Sequence, residues 1–140
     1  MIKIKENSLS VNEYLEIRKQ VGWKCLQLEQ AQRALDHSLY IVSAYEDNNL
    51  VAMGRIVGDG AVICYVQDLI VIPSHQGTGI GSTVLKCLIK FVEDMRLENS
   101  EMMLCLMCAK GREPFYEKHG FLARPTDALG PGMIQYLKDE

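Results

Sequence analysis

The stretch Gln76-Gly77-Thr78-Gly79-Ile80-Gly81-Ser82 decides the reading of this chain. It directly follows the apolar segment Tyr65-Val66-Gln67-Asp68-Leu69-Ile70-Val71-Ile72, which reads as a strand, and it opens an amphipathic run. Three glycines at this place remove the Cβ atoms that would hold a ligand away from the backbone. A helix starting at Ile80 leaves its first N–H groups without intrahelical partners, at the positive end of the helix dipole. Main-chain donors gathered at such a start suit a phosphate group. The same glycines would serve a plain strand-to-helix turn, so the surroundings must choose.

Downstream, Ile80, Val84, Leu85, Leu88, Ile89 and Val92 fall on one helical stripe, with Lys86, Lys90, Glu93 and Asp94 off it, which predicts a helix to about Arg96. Met102 to Cys108 is an almost continuous apolar run, as expected of a strand buried on both faces. Strand, helix and strand in this order predict a right-handed crossover with the two strands parallel. Pro114 suits the first turn of a short helix that Gly120 ends. Short strands are expected over Phe121 to Arg124 and Met133 to Leu137.

Upstream, Ile2 to Glu6 reads as a strand. Ser10-Val11-Asn12-Glu13 is a capping box, flanked by Leu9 and Tyr14 as a hydrophobic staple, so a helix starts there and leaves at Gly22. A second helix is expected over about Leu26 to Leu35. Tyr40 to Tyr45, Leu50 to Val57 and Ala61 to Ile72 read as three strands joined by Asp47-Asn48-Asn49 and Gly58-Asp59-Gly60. Connections this short make an antiparallel meander, which Pro73 ends. The expectation is one mixed α/β domain over residues 1–140: a meander, one βαβ crossover and a closing pair of strands.

The 140 residues are 48% hydrophobic and 24% charged, as in an ordinary soluble domain, and the net charge is −3. That balance argues against nucleic acid as a partner, which needs a basic face. No apolar run has the length of a membrane span, and Met1-Ile2-Lys3-Ile4-Lys5 lacks the apolar core of a signal peptide. A cytoplasmic location without membrane association is expected. The five cysteines are an odd number, and Cys105-Leu106-Met107-Cys108 lies in an apolar run without a second pair or histidines to complete a metal site. They read as reduced packing residues, and no metal is expected.

Two familiar phosphate loops do not fit. A Walker A loop ends in Gly-Lys-Ser/Thr, and a dinucleotide fingerprint wants glycine where Ser82 stands. What does fit is the GNAT superfamily of acyl-CoA-dependent N-acyltransferases. Gln76-Gly77-Thr78-Gly79-Ile80-Gly81 resembles its Q/R-x-x-G-x-G/A pyrophosphate motif, and Asp68-Leu69-Ile70-Val71-Ile72-Pro73 resembles the strand leading into it. Phe115-Tyr116-Glu117-Lys118-His119-Gly120-Phe121 resembles the family's F-Y-x-x-x-G-F segment, with Arg112 departing from the small residue frequent three positions before the Phe. One helix and one strand separate the two motifs, as in the family.

This resemblance implies a wedge between the strand ending near Ile72 and the one ending near Cys108, into which acetyl-CoA enters. Main-chain groups of Leu69, Ile70 and Val71, on to Ile72, would hold the acetyl carbonyl and pantetheine, and Gln76, Gly77, Thr78, Gly79, Ile80, Gly81 and Ser82 the pyrophosphate. Tyr116 is the expected catalytic acid. A phenol with a pKa of about 10 stays protonated at neutral pH and can donate to a departing thiolate, whose conjugate acid lies at about 8.5. An alkyl amine acceptor is neutral in only about one molecule in 2,500 at pH 7, so a base or a water relay would help, and Asp68 is the nearest titratable candidate. Strand alternation puts Asp68 on one face with Val66 and Ile70, unless a bulge breaks the parity. Trp23 lies where the family builds its acceptor pocket. The expected activity is direct acetyl transfer to a primary amine, a small molecule rather than a peptide, in a possible homodimer. The alternatives are a non-catalytic acyl-CoA sensor of the same fold, a protein or peptide N-acetyltransferase, and, on the glycines alone, a nucleotide-binding regulator.

Overall fold

The computed structural model describes residues 1–139. The backbone divides into two compact units, Met1–Leu106 and Met107–Glu140. The first contains β1 (Ile2–Glu6), α1 (Val11–Gln20), α2 (Leu28–Asp36), β2 (Tyr40–Glu46), β3 (Asn49–Gly58), β4 (Ile63–Val71), a 3-10 turn at Pro73–His75, α3 (Ile80–Met95) and β5 (Met103–Cys105). The second contains α4 (Glu113–Glu117).

The five strands form one sheet in the order β1-β2-β3-β4-β5. β1 through β4 pair antiparallel, and β5 joins β4 in parallel, so the meander and the parallel pairing across the helix are both as expected. Asp47 and Asn48 form the β2–β3 hairpin, both at positive φ (50° and 65°), as the twist-matched two-residue turn requires. α3 packs on one face of the sheet through Ile80, Val84, Leu85, Leu88 and Val92, and Tyr40 stacks on Phe91 near its end at 4.4 Å. α1 and α2 cover the other face, where Leu9, Tyr14, Ile17, Ala31, Leu35, Ile41, Met53 and Ile70 form one cluster.

The start of α1 is fixed by its capping box. Glu13 N donates to Ser10 Oγ at 3.1 Å, and Ser10 N donates to Glu13 Oε1 at 3.0 Å. Leu9 and Tyr14, both buried, complete the staple. At its end, Gly22 N donates to Lys19 O and Trp23 N to Arg18 O, a Schellman exit.

Between Met53↔Ile70 and Arg55↔Gln67 the ladder slips by one residue, so Asp68 and Leu69 together oppose Gly54. Asp68 stands at φ 58°, a left-handed conformation inside a strand. This bulge corrects the expected parity. Val66 pairs with Ile56, while Gln67 pairs with Arg55, so the two pairs face opposite sides of the sheet. Gln67 and Asp68 then both face α1 and α2, and Ile70 follows them while Val66 does not.

Two further expectations are corrected. Of the run Met102–Cys108 only Met103–Cys105 is a strand, and it is not buried on both faces, since Met103 is half exposed. As the outermost strand among the described residues it has β4 on one side only. The strands expected at 121–124 and 133–137 are absent among the described residues, and Met133, Ile134, Tyr136 and Leu137 are exposed. A strand pattern without a ladder partner does not form a strand.

Gly54 lies where α3 approaches the bulge. A Cβ there would stand 2.8 Å from Leu88 Cδ1, 3.2 Å from Val84 Cγ1 and 3.5 Å from Leu69 Cδ1. Both helix residues are fully buried and have little room to yield. Gly54→Ala is therefore expected to cost about 1–3 kcal/mol of stability through overpacking, read from urea unfolding. Unchanged stability would mean that α3 rides looser on the sheet than this packing implies.

Candidate active site

From β4 the chain runs without interruption into the glycine loop. β5 pairs only Ile63, Cys64 and Tyr65, so from Val66 to Val71 the outer edge of β4 has no strand beside it among the described residues. Leu69 and Val71 are half buried along this edge, and Ile70 is buried in the α1–α2 cluster.

Gly77 and Gly79 stand at φ 78° and 92°. An added Cβ at either would meet nothing within 4 Å, so the backbone conformation, not crowding, demands glycine. Among the described residues, the space beside these two glycines is open. Gly79 is the N-cap of α3 and, as glycine, gives the helix no side-chain cap, and no acidic residue lies in its first turn. Ile80 is buried beneath the loop, with Gly81 and Ser82 half buried beside it. Thr78 and Thr83 turn their hydroxyls to His75 O and Gly79 O, at 2.5 and 3.2 Å. Gln76 Nε2 donates to Val71 O at 2.9 Å, so its side chain braces the end of β4 instead of reaching outward. His75 Nε2 lies 2.7 Å from Glu46 Oε1, which ties the loop to the end of β2.

Asp68 occupies a different place from the one a base requires. Its side chain has no exposed surface. Oδ2 accepts from Tyr14 Oη in a very short bond and from Arg55 Nε at 2.8 Å. Oδ1 accepts from Arg18 Nη1 and from Gln67 Nε2, each at 3.1 Å. A carboxylate offers about four acceptor positions, and all are taken. In this arrangement no lone pair is left for an amine and none faces solvent, which counts against a role for Asp68 as proton acceptor. Burial, and then the charge of Asp68, push the Tyr14 phenol above its ordinary pKa, so Tyr14 remains a donor in this bond.

The donors were not singled out from sequence. Tyr14 and Arg18 lie four apart on α1, hence on one face, and Arg55 is a lone cation inside a buried strand. A buried charge of that kind needs a partner, and this was the signal available. Trp23 is 40% exposed, and the Arg18 guanidinium lies 5.3 Å from its ring. Trp23 and Asp68 therefore share one arginine.

Tyr116 belongs to the second unit. His119, Gly120 and Phe121 close the end of its helix, with Gly120 N donating to Glu117 O and Phe121 N to Tyr116 O. The Tyr116 ring meets Phe115 edge-on at 5.0 Å and Phe121 at 5.9 Å. Helix α4 forms with Arg112 as its N-cap and Pro114 in its first turn, so the departure at Arg112 does not prevent it. Burial raises the Tyr116 pKa, Cys108 adds to the rise and Arg112 opposes it.

Because Gly79 caps α3 in a left-handed conformation, Gly79→Ala is expected to cost about 1–2 kcal/mol despite the open space around it. Chemical denaturation measures this, and a loss near zero would show that the loop relaxes to another conformation.

Residues 9–121 match the profile of the acetyltransferase (GNAT) family. An uncharacterized N-acetyltransferase of Porphyra purpurea is 29% identical over 131 residues, covering 88% of this chain and 71% of its own length. A chloroplastic serotonin N-acetyltransferase 2 of Oryza sativa subsp. japonica is 30% identical over 139 residues, covering 96% of this chain and 66% of its own length. Among solved structures, a GNAT family acetyltransferase from Streptococcus pneumoniae is 31% identical with a TM-score of 0.80, covering 99% of this chain and all of its own. A probable acetyltransferase from Staphylococcus aureus is 28% identical with a TM-score of 0.85, covering 97% of this chain and 100% of that one. The chain belongs to the GNAT family of acetyltransferases, in the N-acetyltransferase class.

Proposed function

We propose that this chain transfers an acetyl group from acetyl-CoA directly to a primary amine, by preference a small molecule. The observation that carries this reading is the outer edge of bulged β4, which has no strand beside it from Val66 to Val71 among the described residues and runs straight into a glycine loop and a helix start with glycine at its N-cap. Such an edge offers main-chain hydrogen-bonding groups to an extended ligand, and the open loop offers amides to a diphosphate.

Acetyl-CoA supplies the activated acyl group. The main chain of Leu69, Ile70 and Val71 is assigned to its carbonyl and pantetheine arm, and the amides from Gly77 through Ser82 to its pyrophosphate. Gln76 supports the loop from within, through its bond to Val71 O. Trp23 is assigned to the acceptor side, where its exposed ring suits an apolar or aromatic amine; the rice relative is named for serotonin, which is such an amine. As the amine nitrogen bonds to the acyl carbon and the carbon–sulfur bond breaks, Tyr116 gives its phenolic proton to the leaving thiolate. The acceptor's proton leaves to water, since Asp68 is closed to it, and the Tyr116 phenolate takes a proton back from water. A cysteine nucleophile is disfavoured, because burial raises the thiols of Cys64, Cys87, Cys105 and Cys108 and keeps them protonated.

Calorimetric titration with acetyl-CoA, ADP and NAD tests the ligand, and thiol release across a panel of amines tests the reaction. Selective binding of NAD would overturn this reading. Tyr116→Phe is expected to lower kcat by about 100-fold or more while leaving acetyl-CoA affinity little changed. The raised phenol pKa means that the acid form persists through the neutral range and is lost only above its ordinary value of about 10. The kcat profile should therefore carry no alkaline limb from Tyr116 below that pH.

A further inference from the structure

We infer that Asp68 is a positioning residue: its buried carboxylate, gripped by Tyr14, Arg18 and Arg55, locks the β4 bulge and thereby aims the main chain of Leu69–Val71 at the acyl group. This rests on the acyl site proposed above.

Aspartate is among the few residues besides glycine that visit the left-handed region, usually in turns; inside a strand, where that conformation breaks the ladder, it needs surroundings that hold it. Here they do. The four donors on Asp68 come from α1, β3 and β4, and each charged donor is itself held. Arg18 Nη2 donates to Lys24 O at 3.1 Å, and Arg55 Nη1 donates to Ser38 Oγ at 3.2 Å and to Ala34 O at 3.4 Å. The end of α1, the end of α2 and β3 thus converge on one carboxylate. That carboxylate sits on the residue that shifts the register of β4, one position before the edge assigned to the acyl group. Without the lock, the extra residue could be redistributed along β4, and each one-residue shift turns the neighbouring groups to the other side. Acyl transfer is sensitive to such shifts, because about 1 Å of misplacement can cost on the order of 100-fold in rate. A side chain sealed from solvent, with every acceptor position filled, exerts this control by shape.

The test compares Asp68→Asn and Tyr14→Phe with the wild type in steady-state kinetics, pH profiles and amide hydrogen exchange. Tyr14→Phe keeps the ring in the core and removes one donor, so it carries the test if Asp68→Asn does not fold. Tyr14→Phe is expected to lower kcat about tenfold, with a much smaller change in the KM for acetyl-CoA. Exchange should quicken within residues 66–72 while the rest of the sheet keeps its protection. Asp68→Asn should lower kcat further and keep the acidic limb of the wild-type profile. Loss of that limb in Asp68→Asn, with Tyr14→Phe at wild-type kcat, would overturn the inference in favour of a base. Wild-type kcat in both folded variants would reduce the cluster to a purely structural one and overturn it as well. Failure of the acyl-site reading looks different: the wild type itself then neither binds acetyl-CoA nor releases thiol from it.

Discussion

A carboxylate sealed from water and surrounded by two guanidiniums, a phenol and an amide holds the centre of the larger unit together. Bringing three charges out of water is costly, and their mutual attraction offsets that cost only when every donor and acceptor is matched. The four bonds to Asp68 supply that match, while one nitrogen of the cluster, Arg18 Nε, is buried without a partner among the described residues. Such a cluster adds little net stability over a well-packed apolar one, yet removing a single member leaves uncompensated charge behind. Its value lies in specifying geometry. Three elements that a hydrophobic core alone would let slide past one another are tied to one point on β4.

The constraint explains why neighbouring features take the form they do. The capping box and staple set the register of α1, and that register turns both Tyr14 and Arg18 toward the sheet. Gly54, opposite the bulge, lets α3 come close on the other face, so the kinked strand is clamped from both sides. Beyond Tyr65, β4 runs with one edge paired to β3 and no strand on the other among the described residues, and delivers the chain to the glycine loop.

Much of this was legible in the sequence, because most of it is local. Ser10 to Glu13 announce a helix start by chemistry that needs no tertiary context. The stripe from Ile80 to Val92 and the turn residues Asp47 and Asn48 are equally self-contained. What could not be read depends on partners. The apolar patterns at 121–124 and 133–137 describe residues suited to strands, but a ladder needs a second strand, and none pairs with them among the described residues. The side on which Asp68 lies depends on a bulge, and period-2 reasoning has no means of seeing an inserted residue. Arg55 was the visible hint. A cation in a buried strand of an antiparallel meander predicts an anion on the next strand, and Asp68 was the only one there.

One guanidinium links the two halves of the proposed chemistry. Arg18 holds Asp68 through Nη1 and lies over the exposed Trp23 ring, while its Nη2 fixes the carbonyl of Lys24 just beyond it. The residue assigned to the acceptor and the strand assigned to the acyl donor are therefore anchored to a common group. An acceptor that displaced Trp23 would pull on Arg18, and through it on the carboxylate that locks the bulge. Donor geometry and acceptor fit then cease to be independent. The glycine loop is tied to β4 as well, through Gln76 and Val71 O, and to the end of β2 through His75 and Glu46.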